Sequence, residues 1–145
     1  MPRKLISTGS RFEKLASYSR ALIDGDMIYM SGTTGFHPRT FKISASAVAQ
    51  TEQVLRTIVA TLKQAGAHPS DILRVRVFIA DRADLLPVCR VVGRFFRHIR
   101  PANTTVCAPL ATPEMKVEIE VTARRGSGDR GRQRPRWPRP GRTSE

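Results

Sequence analysis

The hydrophobic period of this 145-residue chain switches from two to about 3.6 and back, twice, and no other feature narrows its fold so far. Across residues 46–65, Val48, Thr51, Leu55, Ile58, Val59 and Leu62 recur at helical spacing. Ser44 or Ser46 can cap the start of this segment, Gly66 stands where a C′ glycine belongs, and Pro69 blocks continuation. Residues 74–80 (RVRVFIA) then alternate, with Val75, Val77 and Ile79 on one face and Arg74, Arg76 and Phe78 on the other. A second helix is expected over about 84–99, with Val88, Val91, Val92, Phe95 and Ile99 on one stripe. Asp84 is its expected cap, and Pro87 fits only in its first turn. Residues 103–110 (NTTVCAPL) read as a strand ended by Pro109, and residues 116–123 (KVEIEVTA) as a cleanly alternating one.

Ahead of the first helix, residues 4–7 (KLIS), 18–23 and 27–32 (MIYMSG) are candidate strands. Asp24-Gly25-Asp26 joins the last two as a hairpin turn, because glycine supplies the positive φ that a tight turn requires. Residues 33–43 read as a loop. The order is therefore β-β-β-α-β-α-β-β. Each helix is a crossover, and both pack on one face of a six-stranded sheet. The other face carries Arg76, Phe78, Glu118 and Glu120, and a surface of that mixed character calls for a partner. A closed symmetric oligomer is the economical solution.

The formal net charge is +13. Residues 124–145 hold eight Arg against Asp129 and Glu145, a net of +6, which leaves +7 for residues 1–123. This basic segment mixes Arg with Pro and Gly, so residues 1–123 are expected to form the domain and 124–145 a disordered tail. Its single Trp among arginines suits single-stranded RNA, although a solvated extension is the commoner meaning of such a run. No apolar run is long enough to span a membrane, and MPRKLISTGS leads into no apolar stretch of a secretory signal. Cys89 and Cys107 form no metal-binding spacing, and His37, His68 and His98 are scattered, so no metal site is expected. A reducing, cytoplasmic setting fits these cysteines.

Four stretches carry a resemblance: Ala16-Ser17-Tyr18-Ser19, MSG (30–32), RPANTTV (100–106) and KVEIEVTA (116–123). Together, and in this order, they resemble the Rid family (YjgF/YER057c/UK114) over residues 1–125. The resemblance implies a chorismate-mutase-like α+β fold and a homotrimer with active sites in the clefts between subunits. It also implies hydrolysis of reactive enamine or imine intermediates to 2-oxo acids and ammonia, with no metal or cofactor. Tyr18 and Ser31 match the family's pocket positions, and Glu118 matches the glutamate that positions the attacking water. The family's substrate-binding arginine falls on Asn103, which supplies neither charge nor a paired fork of donors.

Each candidate also has a plainer role. Glu118 and Glu120 could instead pair across strands with Arg74 or Arg76. Arg76 shares the Glu118 face by alternation and is a candidate replacement for the missing arginine. Asn103 is either a substrate contact or a strand-start residue bonded to its own backbone. Cys107 reads as a small buried hydrophobe rather than a nucleophile. The backbone N–H groups of Thr33-Thr34-Gly35 are a further candidate anion contact. Three functions follow: a Rid-type hydrolase with altered small-molecule substrate range, a non-catalytic metabolite-binding trimer, and an RNA-associated protein dependent on the tail.

Overall fold

The computed structural model describes residues 2–129. In chain order the elements are β1 (Lys4–Ile6), α1 (Arg11–Ala16), β2 (Ala21–Asp24), β3 (Met27–Met30), β4 (Thr33–Thr34), α2 (Ala47–Gln64), β5 (Ile72–Ile79), α3 (Leu85–Phe96), β6 (Ala102–Cys107) and β7 (Val117–Arg124). Single 3-10 turns at Pro69–Asp71 and Arg82–Asp84 lead into β5 and α3. The sheet runs β1-β2-β3-β7-β5-β6, with β4 paired to β7 beyond the end of β3. Among the described strands only β5 and β6 are parallel, and α3 is the crossover that parallel neighbours require.

One face of the sheet is the core. Val75, Val77 and Ile79 of β5 lie in register with Val121, Ile119 and Val117 of β7, and all six are buried. Val54, Leu55, Ile58 and Leu62 of α2 and Val88, Val91 and Phe95 of α3 belong to the same cluster. Ser46 caps α2 by accepting from the Ala49 N–H at 3.2 Å. Gln50, fully buried on α2, donates to the Ser44 and Glu114 carbonyls at 2.7 and 2.8 Å and accepts from the Lys116 N–H at 2.8 Å. That one amide binds the helix to both the loop before it and the loop before β7.

Three differences from the sequence expectations have physical causes. Residues 11–16 form a short helix, capped by Ser10 and anchored by the buried Glu13, whose carboxylate accepts from the Ser7 hydroxyl, the Thr8 hydroxyl and the Thr8 N–H. Thr33 and Thr34 are not loop but strand, in register with Ile119 and Glu118 of β7. Asp84 ends a 3-10 turn and makes no side-chain cap for α3; Asp81 accepts from the Ala83 N–H instead.

The packed chain also continues past residue 123. Arg125 donates to the Ala65 carbonyl at the end of α2 through Nε at 3.1 Å and Nη2 at 2.8 Å. The Gly128 N–H donates to Asp71 Oδ1 at 2.9 Å. From residue 130 onward, the expected tail lies outside the described residues. Among the described residues, no helix is long and apolar enough to cross a membrane.

Candidate active site

The register of β7 against its neighbours creates the site. Between Tyr29 and Thr33 the β3–β4 side takes four steps, while β7 takes three between Thr122 and Ile119. The extra residue lies in Met30-Ser31-Gly32, and a bulge of this kind bends the strand and re-aims the side chains beside it. Hydrogen bonds hold the bulge in place. The Ser31 N–H donates to the Arg20 carbonyl at 3.0 Å, and the Ser31 hydroxyl to the Ser19 carbonyl at 2.6 Å.

Gly32 sits between two charged side chains. Its carbonyl accepts from Arg20 Nη2 at 2.7 Å. A Cβ at this position would stand 2.1 Å from Glu118 Oε1, so only glycine lets the carboxylate come so close. Glu118 points away from the core, in register with Phe78 of β5 and Thr34 of β4. It opens into a cleft of about 560 Å³ shared with Tyr18, Arg20, Gly32 and Thr34, whose apolar side is Phe12, Phe36, Phe41 and Met115.

Burial pushes the Glu118 carboxyl above its ordinary value; the Arg20 guanidinium pulls it partly back, and Glu120 adds to the rise. The Arg20 guanidinium also lies 5.9 Å from the centre of the half-exposed Tyr18 ring. His37 lines the same cleft, but its Nδ1 accepts from the Arg39 and Thr40 N–H groups and so holds its own turn.

A profile of the family described as Endoribonuclease L-PSP matches residues 8–125. A crystal structure of a Mycobacterium tuberculosis member of the YjgF/YER057c/UK114 family superposes with a TM-score of 0.77 at 35% identity, covering 85% of this chain and 99% of that one. The chain belongs to this family, the Rid proteins. Reactive Intermediate Deaminase A, chloroplastic, of Arabidopsis thaliana is 32% identical over 122 residues, covering 83% of this chain. The chain spans 65% of that plant protein's length. The 2-iminobutanoate/2-iminopropanoate deaminase of Dermatophagoides farinae is 29% identical over 120 residues, covering 82% of this chain and 94% of its own.

Within the chain of this Rid protein, the expected site residues divide between places. Tyr18 and Glu118 share the cleft. Ser31 stands beside it, with its hydroxyl turned to Ser19. Arg76 lies on the Glu118 face of the sheet but donates to Glu120 Oε1 at 3.0 Å and does not line the cleft. The cross-strand pairing expected as the plainer role thus holds for Glu120, whereas no arginine or lysine among the described residues reaches ion-pair distance of Glu118. Asn103 is in register with Val75, on the opposite side of the sheet from Glu118. Its Oδ1 accepts from the Thr105 hydroxyl at 2.9 Å, and it lines a second groove of about 350 Å³ with Cys89, Arg97 and Arg100.

Arg20 and Gly32, the two members of the cleft that flank Glu118, went unread in the sequence. Alternation along residues 18–23 places Arg20 on the same face as Tyr18, and a cation facing inward beside an aromatic was a usable signal. Gly32 had no such signal. Its role comes from the approach of β7, which only the register reveals.

Proposed function

We propose that this Rid protein hydrolyses small imines or their enamine tautomers, with Glu118 as the group that orients and deprotonates water. The observation that carries this reading is a half-buried carboxylate, held above its ordinary pKa, that opens into a cleft with no ion-pair partner at contact distance among the described residues. A raised pKa brings a carboxylate closer to the range where it both accepts and returns a proton. Water adds to the imine carbon as Glu118 takes its proton. With the imine nitrogen entering protonated, the neutral carbinolamine then collapses: Glu118 returns its proton to nitrogen, the C–N bond breaks as the hydroxyl passes its own proton back to Glu118, and ammonia leaves a carbonyl product. The names of the Arabidopsis and mite relatives support this reaction class.

The reading includes a closed homotrimer with sites between subunits. The uncovered sheet face exposes Leu5, Tyr29 and Val106, at 65%, 48% and 41% of their surface, a pattern that suits association. Asn103 faces away from Glu118 in its own subunit, so it can join a Glu118 cleft only from a neighbouring one.

The test is a coupled assay in which an amino-acid oxidase generates 2-imino acids and their decay is followed. Wild type should accelerate decay, and Glu118→Gln should lose about 10²–10⁴-fold of that acceleration. A wild type without effect would favour a second reading, a trimer that binds metabolites without turnover. One observation speaks for that alternative: Asn103 carries no charge, and its carbonyl oxygen is already engaged by Thr105.

A further inference from the structure

We infer that Arg20 holds the carboxylate of the substrate in the Glu118 cleft, which makes this protein selective for anionic imines with an apolar side chain. The inference rests on the cleft being the reactive site. Arg20 is 9% exposed, and its Nε has no hydrogen-bond partner among the described residues. No carboxylate among those residues lies within ion-pair distance of it. Among the described residues its one hydrogen bond is from Nη2 to the Gly32 carbonyl, and a guanidinium carries five N–H donors. Glu118 feels the charge of this guanidinium but stands beyond ion-pair distance, so the open donors of a buried cation remain costly unless an anion reaches them.

Arg11 also lines this cleft, but it is exposed and its guanidinium lies 5.5 Å from the centre of the Phe12 ring, so it is not a buried fork left open. Arg76 is bound to Glu120, and Asn103 has no charge and faces the other side of the sheet. Tyr18 attracts the guanidinium through its ring face, but a ring does not take up N–H donors in the plane of the fork.

Gly32 sets the scale of the ligand. Arg20 bonds its carbonyl, and Glu118 occupies the space of its missing side chain, so the two charges flank a single residue. A ligand that meets both has its reacting carbon next to its carboxylate, as a 2-imino acid does. Phe12, Phe36, Phe41 and Met115 then face the rest of the molecule, which favours an apolar substituent.

The experiment is equilibrium titration of the full chain with 2-oxobutanoate and with its methyl ester, alongside KM for 2-iminobutanoate. Wild type should bind the acid at least tenfold more tightly than the ester. Arg20→Gln should lose about ten- to a hundredfold of acid affinity, with ester affinity unchanged and KM raised in step. If the Gln variant does not fold, Arg20→Lys carries the test: it keeps a point charge without the fork and should weaken the acid alone by severalfold. Equal binding of acid and ester by wild type overturns the inference. So does an Arg20 variant that folds and binds the acid like wild type, or that loses acid and ester alike.

Failure of the hydrolase reading would look different. Arg20-dependent acid binding without turnover keeps the anchor and removes the enzyme. Turnover with a KM that Arg20→Gln leaves unchanged does the reverse.

Discussion

At the scale of single residues, the cleft depends on Gly32 giving way to Glu118. In Gly32→Ala the new methyl would meet the far end of a flexible side chain, 2.1 Å from Oε1, so Glu118 can swing aside at little cost to the fold. The substitution should cut imine hydrolysis by about 10–100-fold while the melting temperature changes little, because a misplaced catalytic group costs rate rather than stability. Assay and thermal melt together check this. Glu118 itself should behave in the opposite sense on stability. Its folded pKa is raised, so its protonated form favours the native state below the unfolded pKa, and that advantage is lost as pH rises through the folded pKa. Glu118→Gln should therefore melt no lower than wild type at neutral pH, even as its activity falls. Glu118 and Tyr18 could be read as candidates from their stretches, but Gly32 and Arg20 acquire their meaning from β7 arriving beside the bulge.

At the scale of elements, long periodic segments were legible and short ones were not. The helix expected over 46–65 is Ala47–Gln64, and the strand expected over 116–123 is Val117–Arg124. The six residues of α1 are too few to show a period, and side chains rather than an apolar stripe define its start. Ser10-x-x-Glu13 was a readable N-terminal pattern. Here Glu13 turns to Ser7 and Thr8 rather than to the Ser10 N–H. Strand β4 has only two residues and exists because β7 runs long enough to pair with it.

The end of the domain was misplaced by composition, since Arg124 and Arg125 look like the start of the basic run. Arg125 instead satisfies the Ala65 carbonyl at the end of α2, where helix carbonyls lack partners. A chain cut after Asp129 should match the full protein in thermal and urea unfolding. A cut after Ala123 should lose about 1–2 kcal/mol, the range for charge-assisted bonds that are partly solvated. Equal stability of the two truncations would place the boundary at 123 after all.

At the scale of the whole molecule, the two faces of the sheet carry different chemistry. One is closed by α2 and α3. The other holds Leu5, Tyr29, Arg76, Phe78, Glu118, Glu120 and Val106, and the cleft opens from this side. Association through this face would place residues of a second subunit at the cleft. Sedimentation should give three times the 16.2 kDa chain mass, and Tyr29→Glu should shift it toward the monomer and lower hydrolysis with it. A monomeric wild type would contradict this assembly.

The most direct measurement of the central claim is the enzyme-dependent rate of 2-iminobutanoate decay between about pH 4 and pH 8, for wild type and Glu118→Gln. An acid limb should appear in wild type above the ordinary glutamate range and be absent from Glu118→Gln, whose residual rate should stay low throughout. A wild-type profile that the substitution leaves unchanged would contradict the assignment of Glu118 as the group that activates water.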